Sequence, residues 1–167
     1  NILEINPDGT GEKVFAYGLR NPVGMALNPE NNTLWTAVNE RDDIGEDLVP
    51  DFLTEVKRGG FYGWPYAYFG QNPDPRLKGA QMDLVHLSLV PDLALGAHTA
   101  SLGLTFYSQK AFPEKYFNGA FIGQHGSWNR SALVGYKVTF VHIKKGKPTA
   151  SQEDFLTGFI ASEGKNE

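Results

Sequence analysis

A chain of 167 residues, 41% of them hydrophobic, is long enough to bury one sizeable core. Its 15 basic and 19 acidic residues leave a net charge of −4, and with no basic face interleaved with stacking aromatics a nucleic-acid partner is excluded. The absence of cysteine excludes a disulfide framework and a thiolate metal site, and no apolar run approaches the roughly 18 residues of a membrane helix. Nineteen glycines, ten prolines and 13% aromatic residues, with no long stretch of helical periodicity, predict an all-β fold of short strands and elaborate loops.

Ile2 to Ile5 reads as a strand, NPDGTG at 6–11 as a hairpin turn and Lys13 to Tyr17 as the return. The next stretch, GLRNPVGMALNP at 18–29, organises the chain. Gly18 permits positive φ and Pro22 disfavours helix at Asn21. A loop there presents the Arg20 guanidinium and the Asn21 amide at a strand end, before Val23, Met25 and Leu27 enter a core. The flat fork of Arg20 suits planar, oxygen-rich anions; the plainer alternative is that it pins neighbouring loops. Val23 to Leu27 and Thr33 to Val38 form the next hairpin, which exits into NERDD at 39–43. The polar segment 44–52, with Pro50, is expected to be a loop or a single helical turn, and Leu53 to Val56 a strand. KRGG at 57–60 turns the chain into the aromatic block FYGWPYAYFG, and a long loop insertion is expected over about 63–97.

From Leu102 the pattern returns. LGLTFYS, a spacer, and GAFIGQHG running into SWNRS repeat the order of VGMALNP, a spacer, and TLWTAVN running into ERDD. LVGYKVTF, HIKKGKP and EDFLTGF complete the second unit, with Lys144, Lys145 and Lys147 in a solvated hairpin turn. Repeats of four short strands are blades, so residues 1–167 are expected to be a partial β-propeller domain of about three to four blades. Unpaired blade edges would favour a dimer through those edges.

In that repeat, GLRNP, NERDD and HGSWNR lie at strand ends where symmetry brings them together. Arg20, Arg41 and Arg130 would then surround one cavity suited to a multiply charged anion, with Trp128 as a planar face. Singly, Arg41 pairing with Asp42 or Asp43, or Arg130 capping a blade edge, explains each as well. The acids from Asp42 to Glu55 suit a hard cation or form a solvated loop. The four histidines show no metal-ligand spacing; His98 and His125 sit in polar, glycine-bearing loops that could face the cavity, the plainer alternative being that each only makes hydrogen bonds.

Taken together, GLRNPVGMALNP, LWTAVNERDD, GGFYGWPY and FIGQHGSWNRS resemble the glucose/sorbosone dehydrogenase family, particularly its sorbosone branch. The resemblance spans essentially the whole chain. It implies a six-bladed propeller, usually periplasmic or secreted, that uses pyrroloquinoline quinone and calcium to oxidise a sugar hydroxyl or hydrated aldehyde and passes electrons to an external acceptor. Arg20 would stand at the reactive carbonyls, and Asn21, Arg41, Trp128, Asn129 and Arg130 would contact the quinone. Calcium would be held near Asp42 and Asp43, and Glu55 and Tyr62 match a second, structural calcium site. NERDD stands where the glucose dehydrogenase branch has a glycine-proline loop, and SWNR where it has a lysine-bearing one. The family's base histidine would precede residue 1 and further cofactor arginines would follow Glu167, so the chain alone is expected to be inactive. Two other classes fit a propeller: a non-catalytic binding module and a calcium-dependent lactonase or other hydrolase.

Overall fold

The computed structural model describes residues 1–127 and 129–160. A hairpin of β1 (Ile2–Glu4) and β2 (Lys13–Ala16) opens the chain. Its turn is closed by Asp8, whose Oδ1 accepts from the Thr10 amide at 2.9 Å and hydroxyl at 2.7 Å. The first four-stranded antiparallel sheet follows, ordered β3 (Pro22–Leu27), β4 (Leu34–Val38), β5 (Pro50–Glu55) and β8 (Leu93–Ala97). Between β5 and β8 lie the two-residue strands β6 (Ala67–Tyr68) and β7 (Asn72–Pro73), a 3-10 turn at Pro75–Leu77 and the short helix α1 (Met82–Leu87). The second sheet is ordered β9 (Ser101–Phe106), β10 (Ala120–Gln124), β11 (Lys137–Val141) and β14 (Glu153–Leu156). A hairpin of β12 (Ile143–Lys144) and β13 (Lys147–Pro148) turns at Lys145 and Gly146, where the lysine run was expected to turn.

The two sheets are adjacent blades of a partial β-propeller. Trp35, Ala37, Leu53 and Leu95 of the first pack against Ala120, Ile122, Val141 and Ile143 of the second region, all buried. On the other face, Val38, Phe52 and Val56 meet Ile2, Ala16, Leu19 and Tyr62. β4 and β5 are therefore covered on both sides, and consecutive residues are buried along each, including the polar Thr36, Asp51 and Thr54. The blades number two with four strands, plus the opening hairpin, among the described residues. The expectation of about three to four divided the chain into blades of roughly 40 to 50 residues, whereas the first blade alone runs from Pro22 to Ala97.

Three local expectations are corrected. Val23, Met25 and Leu27 do not enter the core; they are 46%, 49% and 54% exposed. Alternation places Gly24 and Ala26 on the inward face instead, because β9 approaches there too closely for a larger residue. A Cβ on Gly24 would lie 2.8 Å from the Leu104 amide nitrogen and 2.9 Å from the Gly103 carbonyl carbon. Gly24→Ala is accordingly expected to destabilise the fold by about 1–3 kcal/mol in urea denaturation, through forced separation of β3 from β9; an unchanged midpoint would show that the blades are not pressed together at this point. Secondly, the strand expected from Leu53 begins at Pro50. Asp51 is only 1% exposed and the proline opens the strand rather than preventing it. Thirdly, the last five residues of the 63–97 excursion form β8, the outer strand of the first blade.

Candidate functional site

Strand register brings four loops to one end of the two blades. Pro22 pairs with Val38, Phe52 with Val38, Pro50 with Ala97, and Gln124 with both Ser101 and Lys137. The segments 18–21, 39–49, 98–100 and 125–136 therefore emerge together. A cavity of about 290 Å³ opens there, lined by Arg20, Asn39, Asp42, His98, Ala100, His125, Gly126 and Ser127.

Gly18 makes the first of these loops possible. Its φ is 71°, and a Cβ would lie 2.4 Å from the Phe61 ring. The loop delivers Arg20, whose Nη1 donates to the carbonyls of Asn39 at 3.2 Å and Glu40 at 2.9 Å. Among the described residues only Nη1 is bonded, so the rest of the guanidinium is left to meet an oxygen-rich group. Asn21 is exposed, and its carbonyl accepts from the Asn39 amide at 3.0 Å, which ties the two loops at their base. Across the cavity, His98 is buried, with Nδ1 3.0 Å from Asp42 Oδ1 and Nε2 2.9 Å from the Gly45 carbonyl. His125 is exposed at the same opening.

Two buried carboxyls support this arrangement from below. Asp51 Oδ1 accepts from the Glu40 amide at 2.8 Å, and its Oδ2 accepts from the Thr99 hydroxyl and the Ser101 amide, both at 2.9 Å. Burial pushes its carboxyl up, against the downward pull of those bonds. Glu40 is 6% exposed. Burial pushes it up to about 7, with the neighbouring Asp51 charge adding to the effect and the Arg41 amide, Arg20 and Arg41 opposing it.

Residues 3–161 match the family model described as Glucose / Sorbosone dehydrogenase. The chain belongs to the glucose/sorbosone dehydrogenase family. It is 37% identical over 164 residues to an uncharacterized protein of Borreliella burgdorferi, covering 95% of this chain and 42% of that protein. Against an aldose sugar dehydrogenase of Escherichia coli it is 33% identical over 120 residues, 70% of this chain and 31% of that enzyme. It thus spans less than half the length of these curated relatives. The crystal structure of the soluble aldose sugar dehydrogenase from Escherichia coli in its apo form aligns with a TM-score of 0.58 at 29% identity, over 81% of this chain and 35% of that one. The holo PQQ domain of pyranose dehydrogenase from Coprinopsis cinerea shares the fold, with a TM-score of 0.68 at 22% identity, over 93% and 47%.

This member of the family does not gather its three arginines in one cavity. Arg20 lines it, but Arg41 is 4% exposed and turned to Asp74, with Nη1 at 3.1 and 3.3 Å from the two carboxylate oxygens. Arg41 pairs neither with Asp42 nor with Asp43; its partner comes from the excursion. Burial pushes Asp74 up, but the bonds from Arg76 and the charges of Arg41 and Arg76 outweigh it and hold the carboxyl below the usual range. Arg130 donates to the Glu46 carbonyl and to Asp47 Oδ1, while Ser131 donates to both oxygens of the Glu46 carboxylate. Arg130 therefore clasps the loop of one blade to that of the next, beside the cavity. Asn129 is half-buried in that clasping loop, and Trp128 lies outside the described residues.

The acids are dispersed as well. Asp42 is at the cavity and Asp43 is exposed, with φ 69°. Glu55 and Tyr62 stand at the opposite end of β5, where Lys57 Nζ lies 2.7 Å from Glu55 Oε1 and the Tyr62 hydroxyl bonds the Glu55 carbonyl and the Lys57 amide. Burial pushes the Tyr62 hydroxyl up, so it stays protonated. A larger, open groove of about 690 Å³ lies at that far end, walled by Ile2, Leu3, Phe15, Leu27 and Leu34. Its charged groups, Glu4, Arg58 and Glu55, are already engaged in ion pairs with each other or with Lys57, whereas four loops converge at the Arg20 end, which is why the smaller cavity is the better candidate.

The roles of Asp74 and Glu40 escaped the reading of the sequence, and Asp51, counted there among the acids of a loop, is instead a buried strand residue. The available signal for Asp51 was a lone carboxylate beside the apolar Phe52 and Leu53, since a buried acid requires partners.

Proposed function

We propose that this chain is the part of a quinone-dependent sugar dehydrogenase that supplies one wall of the cofactor site. The observation that carries the reading is Arg20: its guanidinium is anchored through Nη1 to two main-chain carbonyls and opens the remaining N–H groups to a cavity, within a member of this family. A planar, oxygen-rich anion such as pyrroloquinoline quinone fits that donor set. At the same rim the carboxylate of Asp42 is a hard-oxygen donor suited to calcium, while the carbonyls of Asn39 and Glu40 already accept from the Arg20 guanidinium. Among the described residues no three acidic or histidine side chains are grouped to hold a metal, so main-chain oxygens must complete such a site. Glu55 and Tyr62 suit a second calcium less well, because the Lys57 ammonium already meets the carboxylate.

When bound, pyrroloquinoline quinone with calcium supplies the hydride acceptor for oxidation of a sugar hydroxyl or hydrated aldehyde. Arg20 orients the anion and stabilises negative charge that develops on its oxygens. Asp42 and the Gly45 carbonyl fix the His98 ring at the cavity wall, and His125 stands at its opening. The resemblance assigns the proton-accepting histidine to the remainder of the complete protein. An external electron acceptor and a periplasmic or secreted location belong to the same reading, and no helix of the described residues is long and apolar enough to cross a membrane. Self-association of the isolated chain would use the unpaired blade edges, which in the two four-stranded sheets are β3, β8, β9 and β14.

Absorption titration of the complete protein with pyrroloquinoline quinone and calcium should give a saturable spectral change and turnover of aldoses with a dye acceptor. Arg20→Lys should weaken quinone binding by at least about tenfold, since a point charge cannot hold both the carbonyls and a planar anion. No saturable change in the parent protein would sink the quinone reading.

A further inference from the structure

We infer that Asp51 is a positioning residue whose single carboxylate sets two walls of the Arg20 cavity at once. Only the predicted effect on quinone affinity rests on the function proposed above; the mechanical claim stands on the geometry. Each oxygen serves a different wall. Oδ1 holds the amide of Glu40 at 2.8 Å, and the carbonyl of that same residue receives Arg20 Nη1 at 2.9 Å. Oδ2 holds the Thr99 hydroxyl and the Ser101 amide, both at 2.9 Å.

The second wall needs holding. Thr99 lies between His98 and Ala100, which line the cavity with φ of 59° and 48°. Residues with side chains occupy this left-handed region twice within three positions only where their surroundings over-determine it. A third wall hangs from the second: the His125 amide donates to the Ala100 carbonyl at 2.9 Å and the Gly126 amide to that of Thr99 at 3.0 Å. The base of this chain of contacts is stiff. Asp51 is the second residue of β5, and the next two, Phe52 and Leu53, are fully buried in two different core clusters. One strand end thus transmits the rigidity of the packed blade to the loops on either side of the inter-blade seam.

The test is amide hydrogen exchange on the complete protein, with residue-level resolution. Asp51→Ala should accelerate exchange by at least about tenfold in both 39–42 and 98–101. Asp51→Asn, which retains one acceptor oxygen but presents an NH2 in place of the other, should loosen one wall only, and Thr99→Val should loosen 98–101 alone. Leu53→Ala, two residues along the same strand, is the comparison for plain core damage and should lower the melting temperature without singling out these loops. Should Asp51→Ala fail to fold, the asparagine and valine variants carry the test. Selective acceleration in the named segments supports the inference; exchange unchanged there, or matching the Leu53→Ala pattern, overturns it. Quinone titration of Asp51→Asn should show at least about tenfold weaker binding, partly restored by adding Ala100→Gly, because glycine adopts the left-handed conformation without a tether. Equal quinone affinity in parent and Asp51→Asn overturns the positioning role. A parent that binds no quinone refutes the proposed function, and hydrogen exchange then decides this inference by itself.

Discussion

Replacing Asp74 with alanine is expected to destabilise the protein by about 3–5 kcal/mol, because it strands the Arg41 guanidinium in the interior. The side chains of Arg41 and Asp74 are 4% and 1% exposed. Asp74 is the hydrogen-bond partner of that guanidinium among the described residues, and the Arg41 Nε is already buried without one. Removing the carboxylate also uncaps the 3-10 turn at Pro75–Leu77, where Asp74 Oδ1 accepts from the Arg76 amide at 2.9 Å. Replacing both partners with apolar residues, Arg41→Met with Asp74→Leu, should recover much of the loss, since no buried charge then lacks a partner. Denaturation in urea measures all three proteins. A loss below about 1 kcal/mol for Asp74→Ala would mean that water reaches Arg41 and that the pair does not tether the excursion to the site loop.

The second large effect concerns pH. Glu40 has an ordinary value of 4.5 and is pushed up to about 7 in the folded protein, chiefly by burial. Below 4.5 it is protonated folded or unfolded and costs nothing. Between 4.5 and 7 the unfolded chain gives up its proton while the folded chain keeps it, so the folded state binds more protons and stability falls as pH rises. Above 7 the full penalty is present, about 3 kcal/mol. Glu40→Gln should therefore match the parent protein at pH 4 and exceed its stability by up to that amount at pH 8, as thermal or chemical denaturation at the two pH values will show. A difference of the same size at both would remove ionisation of Glu40 as the cause.

What could be seen in the sequence was local. Gly18, Pro22, the NPDGTG turn and the repeated order of a glycine-led strand and an aromatic-bearing strand are patterns within a few residues, and each marks an element of the structure. The family motifs marked the Arg20 loop in the same way. What was hidden depends on partners far along the chain. Arg41 stood beside two acids in the sequence, yet its carboxylate comes from position 74, across the excursion. Asp51 was counted among loop acids because Pro50 disguised the start of β5, and its partners at 99 and 101 belong to the seam between blades. Val23, Met25 and Leu27 looked like a core face because hydrophobicity alone does not reveal which side must admit another backbone. Gly24, the smallest residue of the strand, held that information.

Arg20 reads its neighbours through carbonyl oxygens, which every residue type carries. A loop held in this way can exchange its letters over evolutionary time while the guanidinium goes on meeting the same two oxygens. The contact then depends on the path of the backbone at 39 and 40 and not on which side chains those positions carry. A substitution at Asn39 or Glu40 that keeps this backbone path leaves both acceptors of Arg20 in place.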